Sequence, residues 1–342
     1  MSAGGLSAII LAGTYDWSGS RFEALGPRPL VPVALSPLIS YALRWLHGGG
    51  LERVTVCANG ATWSVRAALG DGVGLGLSID YHLDTTPRGA AGCVRDAARG
   101  TDAETLVIAD GTVIPTVDLG ELLDAHRRSG AAVTAVVHRE ASRGAALTPG
   151  GAYVFSRRVL GQIPETGFQD IKENLIPRLH RSGERVIAHE SGGACPRVLN
   201  ALTYLAVNEW MLERLALEPG ERGEVLAHPS AWVEQGARLV GPVQLGPGVH
   251  VRAGATIVGP TSIGADSRID SGALVARSVV WSRCRVGEGA VVHGSVVGNE
   301  VVVRAGGRVF HDVHPRRTPE PSPLLSHLRR LPARAVPGPA LP

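Results

Sequence analysis

The sequence predicts two folded domains, an α/β domain with a mainly parallel, Rossmann-like sheet and then a left-handed parallel β-helix. Two observations lead to this fold class. Through residues 1–223, short apolar runs alternate with helical patterns, as they do when helices cover both faces of a parallel sheet. Through residues 224–313, an aliphatic residue returns at nearly every sixth position, which is typical of a β-helix of hexapeptide repeats.

The first region opens on the apolar run "LSAIILAG", and its later strand-length runs are "RVTVCA", "LSIDYHL", "TLVIAD" and "AVTAVV". The segments between them have helical patterns, and two of these, "LISYALRWLHGGG" and "LGELLDAHRRSG", end at glycine, which commonly terminates helices. Because the ligands of such sheets bind outside the carboxyl ends of the strands, the residues that follow each run are the candidate binding residues.

The second region keeps its period over eight aliphatic positions, which are Val233, Leu239, Leu245, Val251, Ile257, Ile263, Ile269 and Val275. The period is interrupted near Trp281 and then resumes, so we expect a misregistered or looped coil at residues 276–282. Aliphatic residues at this spacing stack inside the β-helix, while glycines turn its corners. Each coil is buried only by its neighbours, so we expect the chain to form a homo-oligomer through a flank or an end of the β-helix.

Length and composition exclude several classes of protein. A chain of 342 residues with 44% hydrophobic residues can form two cores. No apolar stretch approaches the roughly eighteen residues of a membrane span, and no positive charge precedes Ile9–Leu11 as in a signal peptide, so we expect a cytoplasmic protein without a membrane partner. The net charge of +3 is concentrated at the C-terminus, which argues against nucleic acid as a partner of the folded part.

Three further features of the composition bear on chemistry. The four cysteines lie far apart without a CxxC spacing, so we expect buried thiols and no zinc site or disulfide framework. Residues 314–342 hold eight of the 23 prolines and five arginines, and we expect this tail to be disordered. Among 34 Lys and Arg residues, Lys172 is the single lysine, so only one side chain could supply a compact ammonium group.

The first apolar run leads through a turn to "PRPLVPV", and the hexapeptide region follows the α/β region. In this combination, over about residues 7–313, the chain resembles the nucleoside-diphosphate-sugar pyrophosphorylases, and within them the mannose-1-phosphate guanylyltransferase and glucose-1-phosphate nucleotidyltransferase branches. The resemblance implies a nucleotidyltransferase domain that joins a nucleoside triphosphate such as GTP to a sugar 1-phosphate. It also implies Mg²⁺ as the cofactor of an active enzyme, whose residues would position the phosphates and neutralise their charge.

The first loop of the family reads LAGGxGTRLxPLTxxxPKP, and its glycine amides cradle the triphosphate. Gly13 keeps the first glycine and Thr14 replaces the second, so the resemblance assigns both positions to nucleotide binding. Asp16 replaces the third glycine, and Ser18 replaces the arginine. Because a carboxylate at Asp16 would repel a polyphosphate, the loop is poorly suited to hold a triphosphate.

Two arginines near this loop are the candidate catalytic residues. Arg28 falls on the lysine of the family's PKP, which keeps the positive charge and changes its shape. Arg21 replaces the missing arginine if "GSR" is the family's GTR displaced by three residues. The unchanged spacing from Gly13 to "PRP" argues against that displacement.

The family's PxGTAGA element corresponds to "PRGAAGC" at residues 87–93, with Gly89 and Gly92 retained. The resemblance implies that these glycines let a nucleobase lie against the backbone, and that Asp84, at the position of a family glutamine, contacts the base. A tight strand-to-helix turn explains the same glycines without a ligand. The sequence alone leaves both interpretations open.

The metal site of the family begins with a strand that ends in Gly-Asp, whereas this chain has "LVIADGTVI", with Asp110 ahead of the glycine. Asp110 is the metal candidate, although a slip of one residue on a strand changes the face that a side chain meets. Arg197 stands where the resemblance places a second metal aspartate. The hairpin that carries the family's sugar-phosphate lysine is too short here, and Lys172 is interpreted as a residue of a helix surface.

These residues leave three hypotheses open. The first is a diverged member of the family that binds a nucleotide or nucleotide sugar with weak or no catalysis. The second is an active sugar-1-phosphate nucleotidyltransferase that uses rearranged residues. The third is a β-helix acyltransferase with His250 or His293 as its base, and it comes last because isolated histidines at turns are more often surface residues.

Overall fold

The computed structural model describes residues 5–13, 20–139, 147–192, 195–217 and 224–316. Thr14, Asp16 and Ser18 lie outside the described residues, and so does most of the proline-rich tail. Within the described ranges, no helix is both long enough and apolar enough to cross a membrane.

The first part of the chain forms a seven-stranded sheet in the order β5-β4-β1-β6-β8-β7-β9, with a small β2–β3 hairpin beside it. Strand β8 runs antiparallel to its neighbours β6 and β7, and the other pairs of neighbours are parallel, which confirms the predicted mainly parallel sheet. The strands are β1 (Leu6–Leu11), β2 (Pro32–Val33), β3 (Ser36–Pro37), β4 (Arg53–Asn59), β5 (Ser78–Asp84), β6 (Thr105–Asp110), β7 (Val133–Arg139), β8 (Leu147–Ser156) and β9 (Val186–Ser191).

Helices cover both faces of this sheet. Along β1, Ile9 packs with residues of α3 and α5, whereas the next residue, Ile10, packs with residues of α1 and α4 on the opposite face. Both isoleucines are buried, so the sheet is the middle layer of three. The helices are α1 (Ile39–Gly48), α2 (Ser64–Leu69), α3 (Gly89–Ala97), α4 (Leu119–Ser129), α5 (Ile176–Arg181) and α6 (Ala201–Ala216).

From residue 225 the chain winds into three parallel sheets, β10-β13-β16-β19-β22-β25, β11-β14-β17-β20-β23 and β12-β15-β18-β21-β24, which confirms the predicted parallel β-helix. From Leu245 onward, the aliphatic residues of the hexapeptide period form its core, whereas Val233 in the first coil is exposed. The strands are β10 (Val225–Ala227), β11 (Trp232–Val233), β12 (Arg238–Val240), β13 (Val243–Leu245), β14 (His250–Val251), β15 (Thr256–Val258), β16 (Thr261–Ile263), β17 (Arg268–Ile269), β18 (Leu274–Ala276), β19 (Val279–Val280), β20 (Arg285–Val286), β21 (Val291–His293), β22 (Val296–Val297), β23 (Val302–Val303), β24 (Arg308–Phe310) and β25 (Val313–His314).

The interruption near residues 276–282 is a shift of register, and the alternative expectation of a looped coil is wrong. Leu245 pairs with Ile263, but Ile263 then pairs with Val280 where the earlier repeat would bring Trp281. One residue is missing at the corner between β18 and β19, which lie close together in the chain. The coils after this corner keep the shorter repeat, as the pairing of Val280 with Val297 shows.

Helix α6 joins the sheet domain to the β-helix. The hydroxyl of Tyr204, which is fully buried, donates to the carbonyl oxygen of Pro32 at 2.6 Å and accepts from the indole nitrogen of Trp281 at 3.0 Å. Asn208 Oδ1 accepts from the backbone nitrogen of Ala34 at 3.0 Å. The two parts therefore share a core, and a domain boundary at residue 223 stays a prediction because residues 218–223 lie outside the described chain.

Candidate functional site at the carboxyl edge of the sheet

The candidate site lies where the parallel strands end. Gly13 follows β1, Asn59 ends β4, Asp84 ends β5 and Asp110 ends β6. Because these four strands are parallel neighbours, their carboxyl ends form one continuous edge. The structure therefore brings three of the predicted site residues, Gly13, Asp84 and Asp110, to the same side of the sheet.

Asp110 accepts three hydrogen bonds from neighbouring donors. Its Oδ1 accepts from the backbone nitrogen of Thr112 at 2.9 Å and from the Thr112 hydroxyl at 2.7 Å. Its Oδ2 accepts from Nη1 of Arg197 at 2.6 Å. The side chains of Asp110 and Arg197 are 28% and 24% exposed, so this ion pair is largely removed from water.

A short antiparallel bridge places Arg197 at this edge. Val113 pairs with Arg197, and the backbone nitrogen of Val198 donates to the carbonyl oxygen of Thr112 at 3.0 Å. Gly151 has φ +74°, and a Cβ there would lie 2.9 Å from Nη2 of Arg197 and 3.2 Å from Cβ of Asp110. A side chain at position 151 would therefore push the guanidinium away from the carboxylate.

The electrostatics of the site follow from burial around this pair. Burial lowers the pKa of the Arg197 guanidinium, but the adjacent Asp110 carboxylate outweighs burial and raises that pKa overall. Burial also raises the pKa of Tyr153, on β8, to about 12, against the opposing effect of Arg197. Arg197 therefore stays charged and Tyr153 stays neutral at physiological pH.

The donor set around Asp110 does not fit Mg²⁺. Magnesium requires several oxygen ligands in near-octahedral geometry, usually one or two carboxylates with waters and phosphates. Here both oxygens of Asp110 already accept hydrogen bonds, and the guanidinium that contacts Oδ2 carries a positive charge that repels a cation. Among the residues that the structure describes, no three His, Cys, Asp or Glu side chains are grouped to hold a metal.

The two candidate catalytic arginines lie apart, and each is paired with a carboxylate. Nε of Arg28 lies 3.1 Å from Oε1 of Glu23, in a pair whose side chains are only 17% and 12% exposed. Arg21 instead donates from Nη1 to both oxygens of Asp312, at 3.1 and 3.0 Å, and so contacts the last coil of the β-helix. The charge of Arg28 is thus largely compensated by Glu23, and the charge of Arg21 pairs with a carboxylate of the β-helix.

The two glycines in the first half of α3, Gly89 and Gly92, are close to other protein atoms. Gly89 has φ +72°, and a Cβ there would lie 2.5 Å from the carbonyl oxygen of Gln169. A Cβ at Gly92 would lie 2.8 Å from Cβ of Arg88, whose guanidinium donates to the carbonyl oxygen of Pro164 at 2.9 Å. The strand-to-helix turn thus accounts for both glycines, and their role in binding a nucleobase stays a prediction.

A cleft of about 580 Å³ lies beside Asp84, and Arg88 and Asp96 also line it. Burial raises the pKa of Asp84, and the nearby Asp96 adds to this effect against the opposing charge of His82. At Gly13 a Cβ would meet only ordinary contacts with Asn59, starting at 3.6 Å. The space beside Asp84 is a polar opening near the end of β5.

The two histidines of the acyltransferase hypothesis lie on the outer surface of the β-helix. Nε2 of His250 lies 2.8 Å from Oε1 of Glu234, and its ring packs against Trp232 at 5.8 Å between centroids. His293 packs edge-on against His311 at 5.1 Å. These contacts add nothing that favours catalysis, and the acyltransferase hypothesis stays an untested prediction.

Sequence reasoning missed the groups that pair with the candidate residues. Glu23 precedes Arg28 by five residues, a weak signal of an ion pair across a turn. Thr112 follows Asp110 by two residues, and this Asp-x-Thr spacing is a usable signal of an Asp side chain that caps its own turn. Nothing local indicates that Arg197 would meet Asp110.

Comparison with known proteins gives related matches for both parts of the chain. A family model described as nucleotidyl transferase matches residues 7–147, and one described as GMPPB C-terminal domain matches residues 221–313. A mannose-1-phosphate guanylyltransferase of Mycobacterium tuberculosis is 26% identical over 272 residues, which cover 70% of this chain and 75% of that protein. A D-glycero-α-D-manno-heptose 1-phosphate guanylyltransferase of Aneurinibacillus thermoaerophilus is 27% identical over 35% of this chain and 52% of its own length.

A solved structure shows the same fold. This structure is of a Bacillus anthracis protein described as a putative glucose-1-phosphate thymidylyltransferase. The superposition has a TM-score of 0.52 and 17% sequence identity, and it covers 59% of this chain and 94% of the Bacillus anthracis chain. At that identity the likeness concerns the fold alone. By the two family models and the guanylyltransferase relatives, the chain is similar to the sugar nucleotidyltransferases in both of its parts.

Proposed function

We propose that this protein binds a nucleotide or a nucleotide sugar at the carboxyl edge of the seven-stranded sheet, and that it catalyses nucleotidyl transfer weakly or not at all. The observation that carries the proposal is the ion pair between Asp110 and Arg197. Nucleotidyl transfer depends on charge stabilisation at the reacting phosphate. An Asp110 carboxylate that is committed to a guanidinium and to Thr112 does not supply a metal ligand for that purpose.

Within this proposal each remaining candidate residue has a binding role. Gly13 and Thr14 contribute backbone amides to the ligand's phosphates, and Arg28 contributes positive charge. Glu23 offsets part of that charge, which favours modest affinity for a polyphosphate. Asp84, beside the cleft at the end of β5, contacts the base.

Guanine is the base that we favour for the bound nucleotide. Two of the relatives are guanylyltransferases. An ionised carboxylate accepts hydrogen bonds only, and guanine offers N–H donors on its Watson–Crick edge. Asp84 therefore suits guanine, and Asp84→Asn should weaken binding of GDP more than binding of UDP.

An active sugar-1-phosphate nucleotidyltransferase is the second candidate function. It is favoured by the similarity to a mannose-1-phosphate guanylyltransferase over 70% of this chain. Arg21 would then have to leave Asp312 to reach the phosphates, or residues outside the described ranges would have to supply the charge.

One pair of assays separates the two functions. Calorimetry of the purified chain against GTP, dTTP, UTP and ATP, and against their sugar conjugates, measures binding. A pyrophosphate-release assay with the same nucleotides, mannose 1-phosphate or glucose 1-phosphate, and Mg²⁺ measures turnover. Binding without release is the expected result, whereas sustained release with any substrate pair would overturn the proposal of weak or absent catalysis.

We also propose that the β-helix mediates self-association into a homo-oligomer. The first coil supports this, because β10, β11 and β12 are edge strands and Trp232 and Val240 on this coil are 67% and 48% exposed. Light scattering should give a mass above that of one chain, and Trp232→Glu should lower it. Phe168→Glu, at another exposed aromatic residue, is the matched control, and a monomeric wild-type chain would contradict the proposal.

A further inference from the structure

The outer face of the sheet β11-β14-β17-β20-β23 carries an unusual concentration of arginine. From β14 onward, the second residue of each of these two-residue strands, such as Val251, Ile269 and Val286, is buried, so the residues before and after it point outward. Four of those outward residues are arginines, and we call them together the arginine face: Arg252, Arg268, Arg285 and Arg304.

A single buried carboxylate lies among them. Asp270 Oδ1 accepts from Nε of Arg268 at 2.8 Å, and Oδ2 accepts from Nε of Arg285 at 2.7 Å. Nε of Arg252 lies farther away, at 3.8 Å from Oδ1. The Asp270 side chain is 5% exposed, so the guanidinium groups cover it almost completely.

Asp270 remains ionised under this cover. Its burial alone would raise the pKa of the carboxyl group, but the hydrogen bonds from Arg285 and Arg268 outweigh burial and lower it overall. One negative charge therefore faces three guanidinium groups, and the cluster keeps an excess of positive charge.

Two further carboxylates offset part of that excess: Glu234, which lies beside Arg252 in the neighbouring coil, and Glu288. The four arginines of the arginine face still outnumber these two carboxylates and Asp270. Arg268 and Arg285 are direct register partners on neighbouring strands, which lie about 4.8 Å apart, and like charges so placed repel each other. Nε of Arg252 is buried and has no hydrogen-bond partner. Arg304 makes no ion pair within the part of the chain that the structure describes.

A notch of about 350 Å³ opens beside the cluster. Arg252, Arg285 and Arg304 line it together with Asp270 and Glu288. The residue stacked beside Asp270 in the next coil is Gly287, so no side chain fills this position. A Cβ there would lie 2.6 Å from the backbone nitrogen of Ala305, so the stacking of the coils itself keeps the notch open.

We propose that the arginine face binds a small phosphate-bearing ligand in this notch, at a site on the β-helix that is separate from the carboxyl edge of the sheet. Planar guanidinium groups match phosphate oxygens through paired N–H donors, and arginine stays charged at any physiological pH. Asp270 uses only the Nε atom of Arg285, so the terminal nitrogens of this notch residue remain for a ligand. The phosphate satisfies the buried donor of Arg252 and relieves the repulsion between register partners.

Calorimetry of the full chain with inorganic pyrophosphate, at low ionic strength and without nucleotide, tests the proposal. The wild-type chain should bind pyrophosphate saturably, and Arg252→Gln and Arg304→Gln should each weaken binding about tenfold or more, the usual effect of losing a charge-assisted hydrogen bond. Arg308→Gln removes an exposed arginine from a different sheet of the β-helix and should change the affinity less than about twofold. Thermal melts establish whether each variant is folded. If Arg252→Gln does not fold, Arg304→Gln still tests the proposal, because Arg304 is exposed and its replacement should leave the fold intact.

Three results would overturn the proposal. The first is the absence of saturable binding by the wild-type chain. The second is binding that Arg252→Gln and Arg304→Gln leave unchanged, which would place pyrophosphate elsewhere, including the carboxyl edge of the sheet. The third is binding of a polyglutamate peptide but not of pyrophosphate, which would make the face a docking surface for an acidic protein segment.

Discussion

Replacing Arg197 by methionine should destabilise the protein by about 2 kcal/mol. Fully exposed ion pairs contribute about 0–1 kcal/mol, whereas removing one partner of a buried pair costs about 3–5 kcal/mol. The pair with Asp110 lies between these limits, because its two side chains are 24% and 28% exposed. Asp110 also keeps its two hydrogen bonds from Thr112, which lowers the cost of losing the guanidinium.

Urea denaturation of four chains measures this effect as a double-mutant cycle: wild type, Arg197→Met, Asp110→Asn and the double variant. The coupling between the two sites should be about 1 kcal/mol or more, because the residues are in direct contact. Arg127→Met is the matched control, since its pair with Asp124 is 56% and 53% exposed and should contribute less than about 0.5 kcal/mol. If Arg197→Met destabilises the protein no more than Arg127→Met does, or if the coupling is near zero, the ion pair does not stabilise the fold.

The same pair predicts how the site responds to magnesium. Arg197→Asp places a second carboxylate beside Asp110, and without a cation the two negative charges repel each other. Millimolar Mg²⁺ should therefore raise the melting temperature of Arg197→Asp and leave that of the wild-type chain unchanged. Stabilisation of the wild-type chain by Mg²⁺ that Asp110→Asn abolishes would show that Asp110 is a metal ligand after all.

Three further predictions concern stability. Burial, together with nearby arginines, lowers the pKa of His126 in the folded protein below the ordinary value of 6.5. As the pH falls below 6.5, protonation of this histidine therefore favours the unfolded chain, and stability that is present at higher pH is lost. From about pH 7 to pH 5, the free energy of unfolding should decrease more in wild type than in His126→Asn. Tyr204→Phe removes the partner of the buried indole nitrogen of Trp281 and of the partly buried carbonyl oxygen of Pro32, and it should cost about 1–3 kcal/mol in urea denaturation. Tyr81→Phe should cost little, because the hydroxyl of Tyr81 makes an exposed hydrogen bond. Gly89→Ala brings a Cβ to 2.5 Å from a carbonyl oxygen at φ +72° and should lower the melting temperature by several degrees, whereas Gly161→Ala, with open space around it, should not.

The fold could be predicted from the sequence because its signals are local and repeated. Each strand of the sheet is a short apolar run of its own, and the β-helix repeats one aliphatic position through its coils. The register shift at Val280 was visible as an interruption of this period. The sequence did not show whether this interruption was a missing residue or an inserted loop, because both disturb a period in the same way.

The site could be predicted only in part. That Asp84 and Asp110 lie at one edge follows from the rule that parallel strands end on the same side. The partner of Asp110 is Arg197, 87 residues further along the chain, and it arrives through a bridge that no local pattern indicates. The pairing of Arg21 with Asp312 spans 291 residues. It depends on how α6 packs against the β-helix, and no sequence pattern indicates that packing.

The partners of Arg28 and Gly89 show a second limit. Charge at a family position predicts a ligand contact, but Glu23 in the neighbouring turn already pairs with Arg28. Retained glycine predicts a close approach, and at Gly89 the approaching group is the backbone of Gln169. In both places the sequence identified the constrained position, and the structure supplied a protein group as the reason for the constraint.

The metal dependence of nucleotide binding shows whether Asp110 holds a metal ion when a nucleotide is bound. The affinity of the wild-type chain for GDP is measured by calorimetry in excess Mg²⁺ and again in excess EDTA. Because the Arg197 guanidinium pairs with Asp110 and its positive charge repels a cation, we expect the two dissociation constants to agree within about twofold. A loss of about tenfold or more in EDTA, or no binding of GDP under either condition, would contradict the account.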